Sequence, residues 1–123
     1  MKVLIVEDDH ANAFVARVYL EEFGFECEIA DSGAAALTLV GEKKFDAILM
    51  DVGMHGLDGY ETTRAIRLHE RRMARAATAI IGVTGYAFNS DREKCFESGM
   101  DDYLSKPYRP VELRTKLTGL QKK

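Results

Sequence analysis

Short apolar runs without polar alternation recur along the chain, separated by longer segments of mixed polarity. They cover residues 3–6, 27–30, 47–50, 79–83 and, more briefly, 103–104. Apolar runs of this length, rich in Val, Ile and Leu, are typical of strands buried on both faces of a parallel sheet. The pattern therefore predicts five short buried strands.

The segments that follow these runs have the features of helices. The first repeats apolar residues at helical spacing from Phe14 to Phe23, and Gly24 stands where a helix would end. The last starts with Pro110, and proline is favoured in the first helical turn. The predicted helices cover roughly residues 14–23, 34–40, 60–73, 91–97 and 111–117, with Gly41 and Gly99 as stops and Asn89, Ser90 and Asp91 as caps of the fourth.

The order of these elements, a strand followed by a helix five times over, indicates the fold class. Parallel strands joined by right-handed helical crossovers form a doubly wound sheet with helices on both faces. The 123 residues, 46% of them hydrophobic, are enough for one core and too few for two ordinary domains. We therefore predict a single α/β domain over residues 1–123, with a five-stranded parallel sheet and five helices.

Net charge and cysteine content limit the binding partners and the cellular location to be expected. The net charge of −3 gives no general attraction to nucleic acid or to an anionic membrane, so we expect neither as a partner. Residues 3–6 are too short an apolar run for a signal peptide or a membrane span. Cys27 and Cys95 form no metal-binding pattern and are interpreted as free thiols, which favours a cytoplasmic location. The charged segment 64–75 is interpreted as a solvated helix face.

Polar residues stand at the ends of four predicted strands. Glu7 and Asp8 follow the first strand, Asp51 follows the third, Thr84 the fourth and Lys106 the fifth. Because parallel α/β sheets bind ligands beyond the carboxyl ends of their strands, these side chains are expected to meet at one edge.

Such a group has a definite chemistry. Clustered carboxylates repel one another, and Mg²⁺ relieves the repulsion with one or two carboxylate ligands plus waters and phosphate oxygens. A lysine at the same edge can pair with a carboxylate or with a phosphoryl oxygen. A carboxylate next to both the bound Mg²⁺ and this lysine is a plausible nucleophile towards phosphorus, and its attack would give an aspartyl phosphate.

From Lys2 to about Leu120 the chain resembles the receiver domains of response regulators and hybrid sensor kinases. In motif style it is most similar to receivers attached to, or paired with, hybrid kinases. The resemblance implies a flavodoxin-like fold with strand order 2-1-3-4-5. It rests on VLIVEDD at 3–9 with Asn12, FDAILMD at 45–51, GLDGYE at 56–61 and GMDDYLSKP at 99–107.

The resemblance assigns the acidic residues by position. Asp51 matches the phosphoacceptor of the family. Asp8 matches a direct ligand of Mg²⁺ (or Mn²⁺), Glu7 a ligand that acts mainly through a water, and Gly53 a ligand through its backbone carbonyl. Asp9 falls one place beyond the acidic pair and is expected to be an acid at a helix N-terminus.

The resemblance also implies a switch. Thr84 matches the switch hydroxyl, Lys106 the phosphoryl-binding lysine, and Tyr103 the aromatic residue whose position follows the state of the site. The Lys106–Pro107 bond matches a cis peptide of the family. The implied function is a phosphoacceptor signalling domain rather than an enzyme, with at most self-phosphorylation from small donors and self-dephosphorylation. A histidine kinase or histidine phosphotransfer protein would donate the phosphoryl group, and a downstream protein would bind the switched face.

Three departures from the family pattern stand out. His55 occupies a position that is commonly proline, which predicts a more mobile loop; we do not interpret His55 as a ligand. The segment 71–78 is longer than in compact receivers. Gly53 and Tyr86 flank the path of a hydrolytic water in the family, so the lifetime of the phosphoryl group stays open.

Two other functions compete with this interpretation. A phosphatase of the haloacid dehalogenase type also uses an Asp nucleophile, but needs a second Asp where Gly53 stands and usually a cap domain. A pseudo-receiver would be an interaction module that is never phosphorylated, and the complete set of acids with Lys106 argues against it.

Overall fold

The computed structural model describes residues 1–85 and 89–121, with the side chains of Asn89, Ser90 and Gln121 outside the description. Five parallel strands form one sheet in the order β2-β1-β3-β4-β5, which confirms the predicted class and strand order. The strands are β1 (Lys2–Val6), β2 (Glu26–Ala30), β3 (Ala47–Asp51), β4 (Ala79–Thr84) and β5 (Asp102–Ser105). The helices are α1 (His10–Glu22), α2 (Gly33–Glu42), α3 (Gly59–Arg72), α4 (Asn89–Ser98) and α5 (Pro110–Gln121).

A hydrophobic core lies on each face of the sheet. Successive strand residues point to opposite faces, so Leu4 and Val6 enter one core while Val3 and Ile5 enter the other. The first core is closed by α2, α3 and α4, and the second by α1 and α5. With apolar cover on both faces, β1 and β3 need no polar alternation, which is why their sequences read as uniform apolar runs.

The helix starts follow local capping chemistry. The Asp9 side chain caps α1 by accepting the Asn12 N–H at 3.0 Å, so the expected helix-start acid is confirmed. Asp58 caps α3 and Glu61 reaches back to the Asp58 N–H, a reciprocal capping box. Pro110 is the first residue of α5, as predicted. The predicted caps of α4 lie in part outside the described side chains.

Two helix ends were predicted too early. α2 continues through Gly41 to Glu42, because the Lys43 N–H still bonds to the Leu39 carbonyl at 2.9 Å. One glycine costs a helix only about 1 kcal/mol, so Gly41 was a poor stop signal. α5 runs on to Gln121, since Leu120 extends the apolar face that packs on the second core.

The interpretation of segment 64–75 as a solvated face is wrong for its central residues. Arg67, whose side chain is 12% exposed, donates to Glu70 at 2.7 Å, to Asp101 at 3.0 Å, and to the Thr78 and Gly99 carbonyls at 2.8 Å each. Glu70 in turn accepts the Thr78 N–H at 2.8 Å. We call these five residues the Arg67 network. It joins α3 to the amino ends of β4 and β5.

Cys27 and Cys95 are free thiols, as predicted. Among the helices in the described part of the chain, none combines the length and apolar character needed to cross a membrane.

Candidate functional site

Sheet register brings the carboxyl ends of β1 and β3 side by side. Val6 pairs with Met50, so the next residues, Glu7 and Asp51, are neighbours at the edge. Asp51 pairs in turn with Val83, which places Thr84 just beyond on the adjacent strand. The predicted meeting of strand-end residues therefore has a simple origin in parallel pairing.

Carboxylate oxygens of Glu7, Asp8 and Asp51 lie within 4.8 Å of one another, and we call these three residues the acid cluster. Glu7 and Asp51 are 6% and 7% exposed. Asp8 stands at the mouth, with its side chain 24% exposed. Buried carboxylates this close together repel strongly.

Lys106 partly offsets that repulsion. Its Nζ lies 3.2 Å from Asp51 Oδ1 and 3.3 Å from Glu7 Oε1. Burial opposes its charge, but the two carboxylates outweigh burial and raise the pKa of Lys106. Burial first, and then the hydrogen bond and charge of Asp51, raise the pKa of Glu7 to about 7. Lys106 therefore forms ion pairs with the two buried acids, Glu7 and Asp51, and the negative charge of Asp8 is not paired with this lysine.

The donor set fits a hard divalent cation. Three carboxylates supply only oxygen ligands, and the partly exposed Asp8 leaves an approach from solvent. Mg²⁺ prefers such oxygen ligands and keeps several waters. The Gly53 N–H points to Asp51 Oδ1 at 3.4 Å, which places this residue beside the cluster.

Asp8 has a partner that sequence reasoning missed. Both the backbone N–H and Nδ1 of His55 approach Asp8 Oδ2, at 2.9 and 3.0 Å. The backbone hydrogen bond first, and then the imidazole, lower the pKa of Asp8. The two residues are 47 positions apart and no local pattern links them, so only the folded chain reveals the contact.

Gly59 explains how α3 can begin directly under the phosphoacceptor candidate. A Cβ on Gly59 would collide with the backbone carbonyl of Asp51 and with Val52. Any side chain at this position would therefore displace the end of β3. The GLDGYE motif thus combines this close approach with the Asp58–Glu61 capping box.

Thr84 and Lys106 lie at the same edge as the acid cluster. Thr84 is 2% exposed and pairs with Ser105, and its carbonyl accepts the Lys106 N–H at 2.7 Å. The Lys106–Pro107 peptide bond is cis. Tyr103 is half-buried on β5 beside Gly82, farther from the edge than Thr84. Tyr86 lies outside the described residues.

Comparison with known proteins places the chain among signalling domains. The family model "Response regulator receiver domain" matches residues 3–118. The hybrid signal transduction histidine kinase L of Dictyostelium discoideum is 37% identical over 92% of the chain. The sensor protein GacS of Pseudomonas syringae pv. syringae is 38% identical over 97%. The chain spans only 7% and 14% of the lengths of these two relatives.

Two solved structures bear on the site. The receiver domain of sensor histidine kinase PA1611 from Pseudomonas aeruginosa PAO1 was solved with a magnesium ion in its active site cleft. It is 37% identical with a TM-score of 0.84, covering 96% of this chain and 94% of that one. The receiver domain of Saccharomyces cerevisiae Ssk1, solved with the histidine phosphotransfer protein Ypd1, is 29% identical. Its TM-score is 0.91, and the match covers 96% of this chain and 86% of that one.

Proposed function

The chain belongs to the response regulator receiver domain family, signalling domains of two-component systems, and on that premise we propose that Asp51 is its phosphoacceptor. The observation that carries the proposal is the acid cluster, three carboxylates within 4.8 Å, with Lys106 bridging two of them. Such a site holds excess negative charge, which suits it to a cation and a phosphoryl group rather than to an anion alone.

The transfer itself is a displacement at phosphorus. An Asp51 carboxylate oxygen attacks a phosphohistidine of a histidine kinase or histidine phosphotransfer protein. The new O–P bond forms as the P–N bond breaks, and the histidine nitrogen keeps the electron pair. The Lys106 ammonium group lies 3.2 Å from Asp51 Oδ1 before the transfer and pairs with a phosphoryl oxygen after it.

We propose that the acid cluster holds Mg²⁺ or Mn²⁺. Asp8 and Asp51 would hold the ion directly, Glu7 would act mainly through a water, and Gly53 would contribute its backbone carbonyl. When bound, the ion neutralises charge on the phosphoryl oxygens. The magnesium ion in the active site cleft of the PA1611 receiver supports a divalent cation at this site.

The output is a switch on the face formed by α4, β5 and α5. The phosphoryl group on Asp51 draws the Thr84 hydroxyl towards it, and the space that this vacates admits the Tyr103 ring. A downstream protein binds the altered face. A bias of a few kcal/mol is enough to move such a two-state element.

Kinase relatives and the Ypd1–Ssk1 complex support a histidine kinase or phosphotransfer protein as donor. We further propose that residues 1–123 form one receiver domain that acts in the cytoplasm. Incubation with acetyl phosphate, described below, also distinguishes the two rival functions from a receiver. A phosphatase of the haloacid dehalogenase type would release phosphate with many turnovers, and a pseudo-receiver would take up no label.

The test is mass spectrometry after incubation with acetyl phosphate, with and without Mg²⁺. The parent and Asp31→Asn, which alters an exposed acid, should each gain one phosphoryl group only when Mg²⁺ is present. Asp51→Asn should gain none. Equal labelling of Asp51→Asn and the parent would contradict the assignment of Asp51.

A further inference from the structure

Two cations from different helices lie over the ring of Tyr103. The Arg92 guanidinium carbon, on α4, is 5.6 Å from the ring centroid, and Lys116 Nζ, on α5, is also 5.6 Å away. Phe96 meets the same ring edge-on, with centroids 6.3 Å apart and an interplanar angle of 89°. The ring that is proposed to move therefore has contacts from both flanking helices.

Lys116 is fixed relative to Tyr103 by a third residue. Asp102 Oδ1 binds Lys116 Nζ at 3.0 Å and also accepts the Tyr103 backbone N–H at 2.8 Å. One carboxylate oxygen thus links the strand to the lysine of α5. This ion pair, between two partly buried side chains, orients the Lys116 ammonium group over the ring.

Both cations are within the distance at which the negative face of an aromatic ring attracts a positive charge. Each such contact at a partly exposed site favours the arrangement by about two- to fivefold. In the proposed switch the Tyr103 ring leaves this position for the space beside Thr84, so contacts made to the ring where it now lies favour its present position. The contacts therefore act against the inward position.

We propose that Arg92 and Lys116 are positioning residues that hold the half-buried Tyr103 ring in the position between α4 and α5 described here, called outward below, with Asp102 fixing the lysine. The inference rests on the proposed function, because it concerns the ring whose movement reports phosphorylation. Arg92 and Lys116 lie outside the acid cluster. They set how readily the ring turns, and take no part in phosphoryl transfer.

The test compares Arg92→Gln and Lys116→Gln with Arg114→Gln. Arg114 is the matched control, because it lies on α5 and its guanidinium stands 5.8 Å from the ring of Phe23 instead. Ring position is measured by NMR, from contacts between the Tyr103 and Phe96 rings and from fluorine shifts of fluorotyrosine, with Tyr103→Phe assigning the signal. No phosphoryl donor is present.

We expect each cation removed to raise the ratio of inward to outward ring by about two- to fivefold. The double variant should raise the ratio more than either single variant, and because both cations contact one ring its effect need not equal the product. Arg114→Gln should leave the ratio unchanged. Lys116→Arg retains a cation and should restore the parent ratio. An unchanged ratio in both single variants, or an equal change in Arg114→Gln, would overturn the proposal.

Adding beryllofluoride and Mg²⁺ to the parent separates this inference from the proposed function. A Tyr103 ring that stays outward under these conditions would contradict the proposed switch. A change of the ratio in the variants without beryllofluoride would still support the positioning role. Unfolding midpoints of all variants show whether the substitutions act on the ring or on the whole fold.

Discussion

The two edges of the sheet hold similar charged side chains in opposite arrangements. At the amino edge, Arg67 faces two carboxylates and two carbonyls, and Glu70 also receives a backbone N–H. At the carboxyl edge, three carboxylates share Lys106, and burial with Asp51 raises the pKa of Glu7 to about 7. In the first arrangement each charge has an opposite charge within the chain, whereas in the second three carboxylates outnumber the single Lys106.

The difference shows what separates a structural ion-pair network from a binding site. A buried charge is tolerated where hydrogen bonds and an opposite charge satisfy it. The Arg67 network meets that condition and ties α3 to the ends of β4 and β5. The acid cluster does not meet that condition, because Lys106 is one cation for three carboxylates. Its excess negative charge lowers fold stability and favours the binding of a cation.

The largest expected effect is at the amino edge. Arg67→Met should lower the free energy of unfolding by about 3–5 kcal/mol, because Glu70 and Asp101 lose their cation and two carbonyls lose a donor. Urea denaturation measures it. Arg64→Met, which removes an exposed cation from the same helix, is the control and should cost less than about 0.5 kcal/mol. Similar losses in both variants would mean that the Arg67 network does not stabilise the fold.

The next effect is a pH dependence at the carboxyl edge. The folded-state pKa of Glu7 is raised from the ordinary 4.5 to about 7, so the folded state binds this proton more tightly. Its contribution is fully present below about pH 4.5 and is lost as the pH rises through about 7. Without metal, the free energy of unfolding should fall by about 1–3 kcal/mol across that window.

Glu7→Gln isolates this contribution, because it keeps the size of the side chain and cannot ionise. Its stability measured in a chelator should change less than that of the parent between pH 4.5 and 8. If the two pH profiles run parallel, Glu7 does not carry the effect, and the acid cluster is less strained than its geometry indicates.

A third effect tests the register of the acidic residues. Asp8→Ala should weaken Mg²⁺ binding by more than about tenfold, because it removes a proposed direct ligand. Asp9→Ala should change the binding constant little, and instead lower stability by about 1 kcal/mol through loss of the α1 cap. Calorimetric titration with Mg²⁺ and thermal unfolding report the two quantities. Equal losses of Mg²⁺ affinity in the two variants would mean that the assignment of Asp8, rather than Asp9, as the direct ligand is wrong.

The smallest effect concerns His55. Its side chain is fully exposed, so its imidazole contact with Asp8 is screened by solvent. His55→Ala keeps the backbone N–H that also binds Asp8, and should change Mg²⁺ affinity by less than about threefold. The same titration checks this. A change as large as that of Asp8→Ala would show that the imidazole belongs to the metal site.

Much of the fold could be predicted because its signals are local. Parallel strands with apolar cover on both faces are continuous apolar runs, and in an α/β sheet the residues that follow them collect at one edge. Strand and helix ends were less certain, as at Gly41, where continued backbone hydrogen bonding outweighs the low helix propensity of glycine.

The contacts of Arg67 and His55 could not be predicted in this way. Arg67 meets Asp101 across 34 positions, and His55 meets Asp8 across 47. Charge along α3 suggested solvation, because a single sequence does not show which arginine of a charged helix turns inward. The members of the acid cluster could be predicted because they lie at the carboxyl ends of strands, whereas the residues of the Arg67 network do not.

A cation and a phosphoryl group on Asp51 are proposed to complete the carboxyl edge. The measurement is the thermal unfolding midpoint of the parent and Asp51→Asn with Mg²⁺, with beryllofluoride, and with both. Ligands that bind only the folded state raise this midpoint. We predict that the parent is stabilised most by the two together and that Asp51→Asn gains nothing from beryllofluoride. An equal rise of the midpoint with beryllofluoride in both proteins would contradict the assignment of Asp51 as the phosphoacceptor.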